Sequence, residues 1–79
     1  MQESRLRWMC RRGMKELDVV MGRYLDSRYA SANEDEKQGF ITLLEMQDPD
    51  LYSLLMGRQT SPDQNADKVA RSIRNMAGR

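Results

Sequence analysis

The side chains best placed to do chemistry together fall in one octet, Arg11-Arg12-Gly13-Met14-Lys15-Glu16-Leu17-Asp18. Guanidinium groups present planar forks of donors and carboxylates accept them, so the chemistry on offer is charge-assisted hydrogen bonding rather than bond cleavage. In a helical backbone Arg12, Gly13 and Glu16 share one face, because residues three and four apart are neighbours. That face would carry a positive fork, bare backbone and a carboxylate within one turn. Glycine in a helix interior costs roughly 1 kcal/mol relative to alanine, and close approach of a partner to the backbone is one reason to accept it. A second reading is that Gly13 ends one helix before Met14 opens the next, with solvated charges around it.

Catalytic groups are scarce elsewhere. The chain has no histidine, and its one cysteine, Cys10, has no base to activate it. Basic neighbours can lower a thiol pKa, but Cys10 is expected to be a small buried side chain. A single cysteine forms no internal disulfide and suits a reducing compartment. There is no Gly-rich phosphate loop and no metal-ligand cluster; Asp48 and Asp50 share a turn with Pro49 and are better explained by helix capping than by a cation. An enzyme is therefore not expected, nor a stably bound cofactor or metal.

Seventy-nine residues make a single domain, 1–79, with a marginal core. The net charge of +1 supplies no bulk attraction to nucleic acid or membrane. The charge is blocked, however: residues 1–30 sum to +3, 31–65 to −5 and 66–79 to +3. Opposed faces of this kind orient a protein partner, and they equally suit packing of basic helices on acidic ones. A basic first helix carrying Arg5, Arg7, Arg11 and Arg12 keeps nucleic-acid binding as the alternative, but Glu16 and Asp18 stand inside the same patch, where phosphates would be repelled. No apolar run reaches the length of a signal sequence or a membrane span, so a cytoplasmic, monomeric protein-interaction module is expected.

The elements that must position the octet are helices. Leu6, Met9 and Cys10 repeat at helical spacing in a short basic segment, and the lone tryptophan, Trp8, is expected in the core, with a surface anchor as the alternative. Met14 to Tyr29 forms the longest pattern, with Met14, Leu17, Met21, Tyr24, Leu25 and Arg28 along one stripe and Glu16 off it. Asn33 caps a third helix reaching Met46 and burying Phe40, Leu43 and Leu44, with Glu36 reaching back to the cap. Asp48 is read as the N-cap of a fourth helix, with Pro49 at its first position, Leu51, Leu54 and Leu55 buried and Gly57 as its stop. Ala66, Val69, Ala70, Ile73, Met76 and Ala77 make the inner face of a fifth helix, with Lys68, Arg71 and Arg74 facing out. No period-two alternation is long enough for a strand. The fold expected is all-α, a bundle of about five short helices.

Arg11-Arg12-Gly13-Met14-x-Glu16-Leu17-Asp18, with Trp8 before it and Asp48-Pro49-Asp50-Leu51 after it, resembles the SdhE-type FAD assembly factors. The family hallmark, Arg-Gly-x-x-Glu, is matched by Arg12, Gly13 and Glu16, and the similarity runs from about Arg5 to Gly57. Leu54 departs from the tryptophan found in many members. The resemblance implies a helper that binds the flavoprotein subunit of succinate dehydrogenase, and also that of fumarate reductase, and promotes covalent attachment of FAD to a histidine of that subunit. It implies a partner surface made by Arg12, Gly13 and Glu16, extended by Arg11, Met14 and Arg5; of the two readings of Gly13, a contact point in helical geometry is the one expected.

Overall fold

The computed structural model describes residues 3–77, and these form five helices: α1 (Glu3–Met9), α2 (Lys15–Ser27), α3 (Glu34–Leu44), α4 (Asp48–Leu55) and α5 (Gln64–Ala77). A single 3-10 turn, Tyr29–Ser31, follows α2. No strand occurs among the described residues, as the helical periodicities require.

One core joins all five helices. Leu6 of α1, Leu17, Met21 and Tyr24 of α2, Phe40 and Leu43 of α3, Leu51 and Leu54 of α4 and Ala66, Val69, Ala70 and Ile73 of α5 are fully or almost fully buried. Tyr24 stacks on Phe40 with ring centroids 4.8 Å apart, and Tyr29 tilts against the same ring at 5.5 Å. The expected burial of Ala77 concerns a side chain outside those described. Leu54 is wholly enclosed in the core.

The most extensive helix-to-helix packing is that of α3 on α5. A Cβ added at Gly39 would sit 2.4 Å from the Asn65 carbonyl oxygen, so only glycine lets the two backbones meet there. Asn33 caps α3 as expected, its Oδ1 accepting from the Glu36 N–H at 2.8 Å. Helix α4 ends in a paired-bond terminus at Gly57, whose φ is +78°. There the Gly57 N–H donates to the Leu54 carbonyl and the Arg58 N–H to that of Ser53.

Three expectations are corrected. Trp8 is 73% exposed rather than in the core. Helix α2 begins at Lys15 and ends at Ser27, short of Tyr29, and α3 stops at Leu44 rather than Met46. Gln47, not Asp48, occupies the cap position of α4; Asp48 is the first helical residue and its carboxylate is engaged elsewhere. Arg74 is exposed as expected, and its guanidinium also donates to the Leu54 and Leu55 carbonyls at 2.9 and 3.0 Å, supplying donors to the open end of α4.

Candidate partner-binding site

The octet spans the junction of α1 and α2, and its geometry is set by Arg12. The Arg12 backbone N–H donates to the carboxylate of Asp18, in the opening turns of α2. Its side chain, only 9% exposed, runs to the α3–α4 connection. There Nε donates to Asp48 Oδ1 at 2.8 Å, and Nη1 and Nη2 donate to the carbonyls of Leu44 and Met46. The carbonyls that α3 leaves open at its C-terminus thus receive a cation, and the carboxylate in the first turn of α4 is held beside the same charge. A planar fork of donors reaches all three acceptors at once; a lysine ammonium has no such geometry.

This arrangement overturns the expected helical face. Gly13 has φ +83° and lies between the helices, in the left-handed region that favours glycine. Nothing lies within 4 Å of a Cβ built there, so its backbone is bare to solvent. Arg12 therefore does not share a helical face with Gly13 and Glu16. Met14 leaves the turn in extended geometry (φ −111°, ψ 114°) and packs partly against the core. Arg5, Arg11, Gly13 and Glu16 are exposed. Of the six residues expected at the partner surface, four thus face solvent, one is half-buried and one is turned inward as a brace.

Trp8 lies on the surface rather than in the expected core, and its spacing held the signal. Leu6 and Cys10 are four apart and define the buried side of α1, whereas Trp8 falls midway between them on the opposite side. Arg5 and Arg11 stand three residues to either side of it. Trp8 and Met9 border two shallow depressions, one shared with Arg5 and the other, of about 330 Å³, with Arg11, Arg12, Leu44 and Asp48. A separate apolar groove of about 270 Å³, lined by Leu17, Val20, Tyr52, Leu55 and Ile73, opens beside Glu16.

Charge pairing on α1 is selective. Arg7 contacts Asp26 of α2 at 2.6 Å and Glu3 at 3.6 Å, an exposed network that solvent screens. Arg5 and Arg11 have no ion-pair partner among the described residues. Cys10 is buried, and burial pushes its thiol up to about 11 despite the opposing charges of Arg7 and Arg12. A thiol so placed is protonated at neutral pH and is a packing group. The exposed groups here are thus two guanidiniums without ion-pair partners among the described residues, an indole, the bare Gly13 backbone and the Glu16 carboxylate.

The family described as the flavinator of succinate dehydrogenase matches residues 4–77 of this chain. The chain belongs to that family. Named relatives agree along most of the length. The FAD assembly factor SdhE of Shewanella oneidensis is 39% identical over 77 residues, covering 98% of this chain and 94% of the relative. That of Coxiella burnetii is 36% identical over 74 residues, covering 94% and 90%. That of Aliivibrio fischeri is 45% identical over 60 residues, covering 76% and 70%. The flavinator family match takes in α5, beyond the Gly57 limit set by motifs alone. Among the described residues no helix is long and apolar enough to cross a membrane.

Proposed function

We propose that this chain is an FAD assembly factor: it binds the flavoprotein subunit of succinate dehydrogenase and promotes covalent attachment of FAD to it. The observation that carries the reading is the exposed Arg11–Gly13–Glu16 segment, fixed from beneath by the nearly buried side chain of Arg12, in a chain of the flavinator family. A surface held in one shape before binding loses less entropy on docking.

In this reading the bond-forming chemistry belongs to the flavin and to a histidine of the subunit. The chain contributes position. It holds the immature subunit in a conformation that aligns the reacting groups, and such alignment alone supplies several kcal/mol of a barrier. Glu16 and Arg11 supply charge-assisted hydrogen bonds at the rim, and Gly13 admits partner backbone where a side chain would stand. Arg12 acts through the shape that it imposes. The chain works as a non-catalytic monomer that holds neither FAD nor metal stably, in the cytoplasm, where a lone thiol stays reduced. The flavoprotein of fumarate reductase, of related chemistry, is a second client.

Co-expression tests the reading. The flavoprotein subunit is produced with and without this chain, and covalent flavin is read as fluorescence on a denaturing gel. Strong labelling only in the presence of the chain is expected; equal labelling in both would refute the role.

A further inference from the structure

We propose that Trp8, flanked by Arg5 and Arg11, is the principal anchor of the interface, inserting into an apolar pocket rimmed by carboxylates on the flavoprotein subunit. This rests on the assembly-factor reading above and names the chemistry of its contact surface.

Trp8 is the only tryptophan of the chain and is 73% exposed, although the core has marginal apolar area to spare. An indole left in water contributes nothing to folding. Buried at an interface, an aromatic side chain of its size removes some 150–250 Å² from solvent, and tryptophan and arginine are the residues most enriched among those that dominate binding energy. Its neighbours specify the partner. Of the four arginines between residues 5 and 12, Arg7 is paired with Asp26 and Arg12 with Asp48. The two with no ion-pair partner among the described residues are Arg5 and Arg11, which flank the indole. An apolar side chain between two unneutralised guanidiniums is complementary to an apolar pocket with acidic edges.

Other occupants fit less well. A second copy docked about a two-fold axis through Trp8 would set Arg5 and Arg11 against the same arginines of its mate. Nucleic-acid strands bind on successive aromatic platforms along a basic groove, whereas here one indole stands alone, and the Asp48 carboxylate borders the adjoining depression.

The test is calorimetric titration of the cognate flavoprotein subunit with the wild-type chain, Trp8→Ala, Trp8→Phe and the pair Arg5→Glu/Arg11→Glu, with a thermal melt of each. Trp8→Ala is expected to melt with the wild type and to bind at least roughly thirtyfold more weakly, the scale of a dominant interface residue. Trp8→Phe should lose less, and the charge-reversed pair should lose affinity together with most of its salt dependence. Wild-type binding with Trp8→Ala within about threefold of it overturns the anchor and leaves the assembly-factor reading standing. No binding by the wild type overturns both. Should Trp8→Ala fail to fold, the charge-reversed pair decides: unchanged affinity and salt slope overturn the proposal. The single tryptophan also reports on rival occupants. A blue shift of its emission with duplex DNA at low salt, or with rising concentration of the chain alone, would assign the patch to nucleic acid or to a second copy and overturn the proposal.

Discussion

Arg12 Nε lies 2.8 Å from Asp48 Oδ1, joining the turn before α2 to the first residue of α4 across 36 positions of sequence. The guanidinium is nearly buried while the carboxylate is one-third exposed, so the two ends of the pair differ in cost when removed. Arg12→Ala leaves Asp48 and two carbonyls without their donors and is expected to destabilise the fold by about 2–4 kcal/mol. Asp48→Ala leaves the guanidinium its carbonyl partners and is expected to cost about 1–2 kcal/mol. Chemical denaturation of the singles and the double checks this. The double-mutant cycle should show clear coupling, whereas independent effects would reduce Asp48 to a local helix-start residue.

Gly13 separates conformation from contact. Its φ of +83° makes Gly13→Ala destabilising by about 1 kcal/mol, although a Cβ there meets no atom within 4 Å. Asparagine, which tolerates this region, should cost less. Gly13→Arg carries the same strain and covers the bare backbone besides. Flavinylation of the partner is expected to fall far below the folded fraction for arginine, and with the folded fraction for alanine. Glu16→Ala should keep its melting temperature and lose flavinylation more mildly. Melts paired with in-gel flavin fluorescence read both quantities.

Burial holds the Cys10 thiol near 11, above its ordinary value of 9.0. The folded state therefore binds this proton more tightly than the unfolded state. Its contribution is complete below pH 9 and is lost as pH rises towards 11, amounting to roughly 2–3 kcal/mol across that window. Cys10→Ala should flatten the fall in stability between those limits. The buried Tyr24 phenol is also pushed up, chiefly by burial, and contributes only above its ordinary value of 10.0. At pH 8 the native thiol should resist iodoacetamide and react fully once unfolded.

Two helical glycines should respond in opposite directions. Gly39→Ala drives a methyl group into the backbone of Asn65, against which α5 cannot shift without disturbing the core. A loss of at least about 2 kcal/mol is expected. Gly22→Ala, in α2 with no atom within 4 Å of the new Cβ, should gain up to about 1 kcal/mol. Urea titrations of both variants check the contrast.

The features legible in the sequence were those written in local spacing. The apolar stripes located the five helices, Asn33 three residues before Glu36 marked a start, and Gly57 marked a stop. The positions that misled depend on partners distant in sequence. Arg12 looks solvated, yet it meets carbonyls at and just beyond the C-terminus of α3, a site visible only once the helices are packed. Asp48 before a proline has the signature of a cap, but Arg12 draws its carboxylate away. Gly13 stands between two helical patterns in the sequence, and the left-handed turn it makes between α1 and α2 shows only in the backbone. Trp8 was misjudged for a different reason: tryptophans are mostly well buried, and that tendency outweighed its place on the basic side of α1.

Because Arg12 is anchored at the α3–α4 connection, the Arg-Gly-x-x-Glu segment has no conformation of its own to export. A synthetic peptide covering residues 5–18 would carry every exposed group of the octet, yet would lack the acceptors at Leu44, Met46 and Asp48 that hold its bend. It would sample many shapes and compete poorly with the intact chain. The motif is continuous in sequence but held in shape by distant residues, and grafting it onto another scaffold requires transplanting the receiving helix ends along with it.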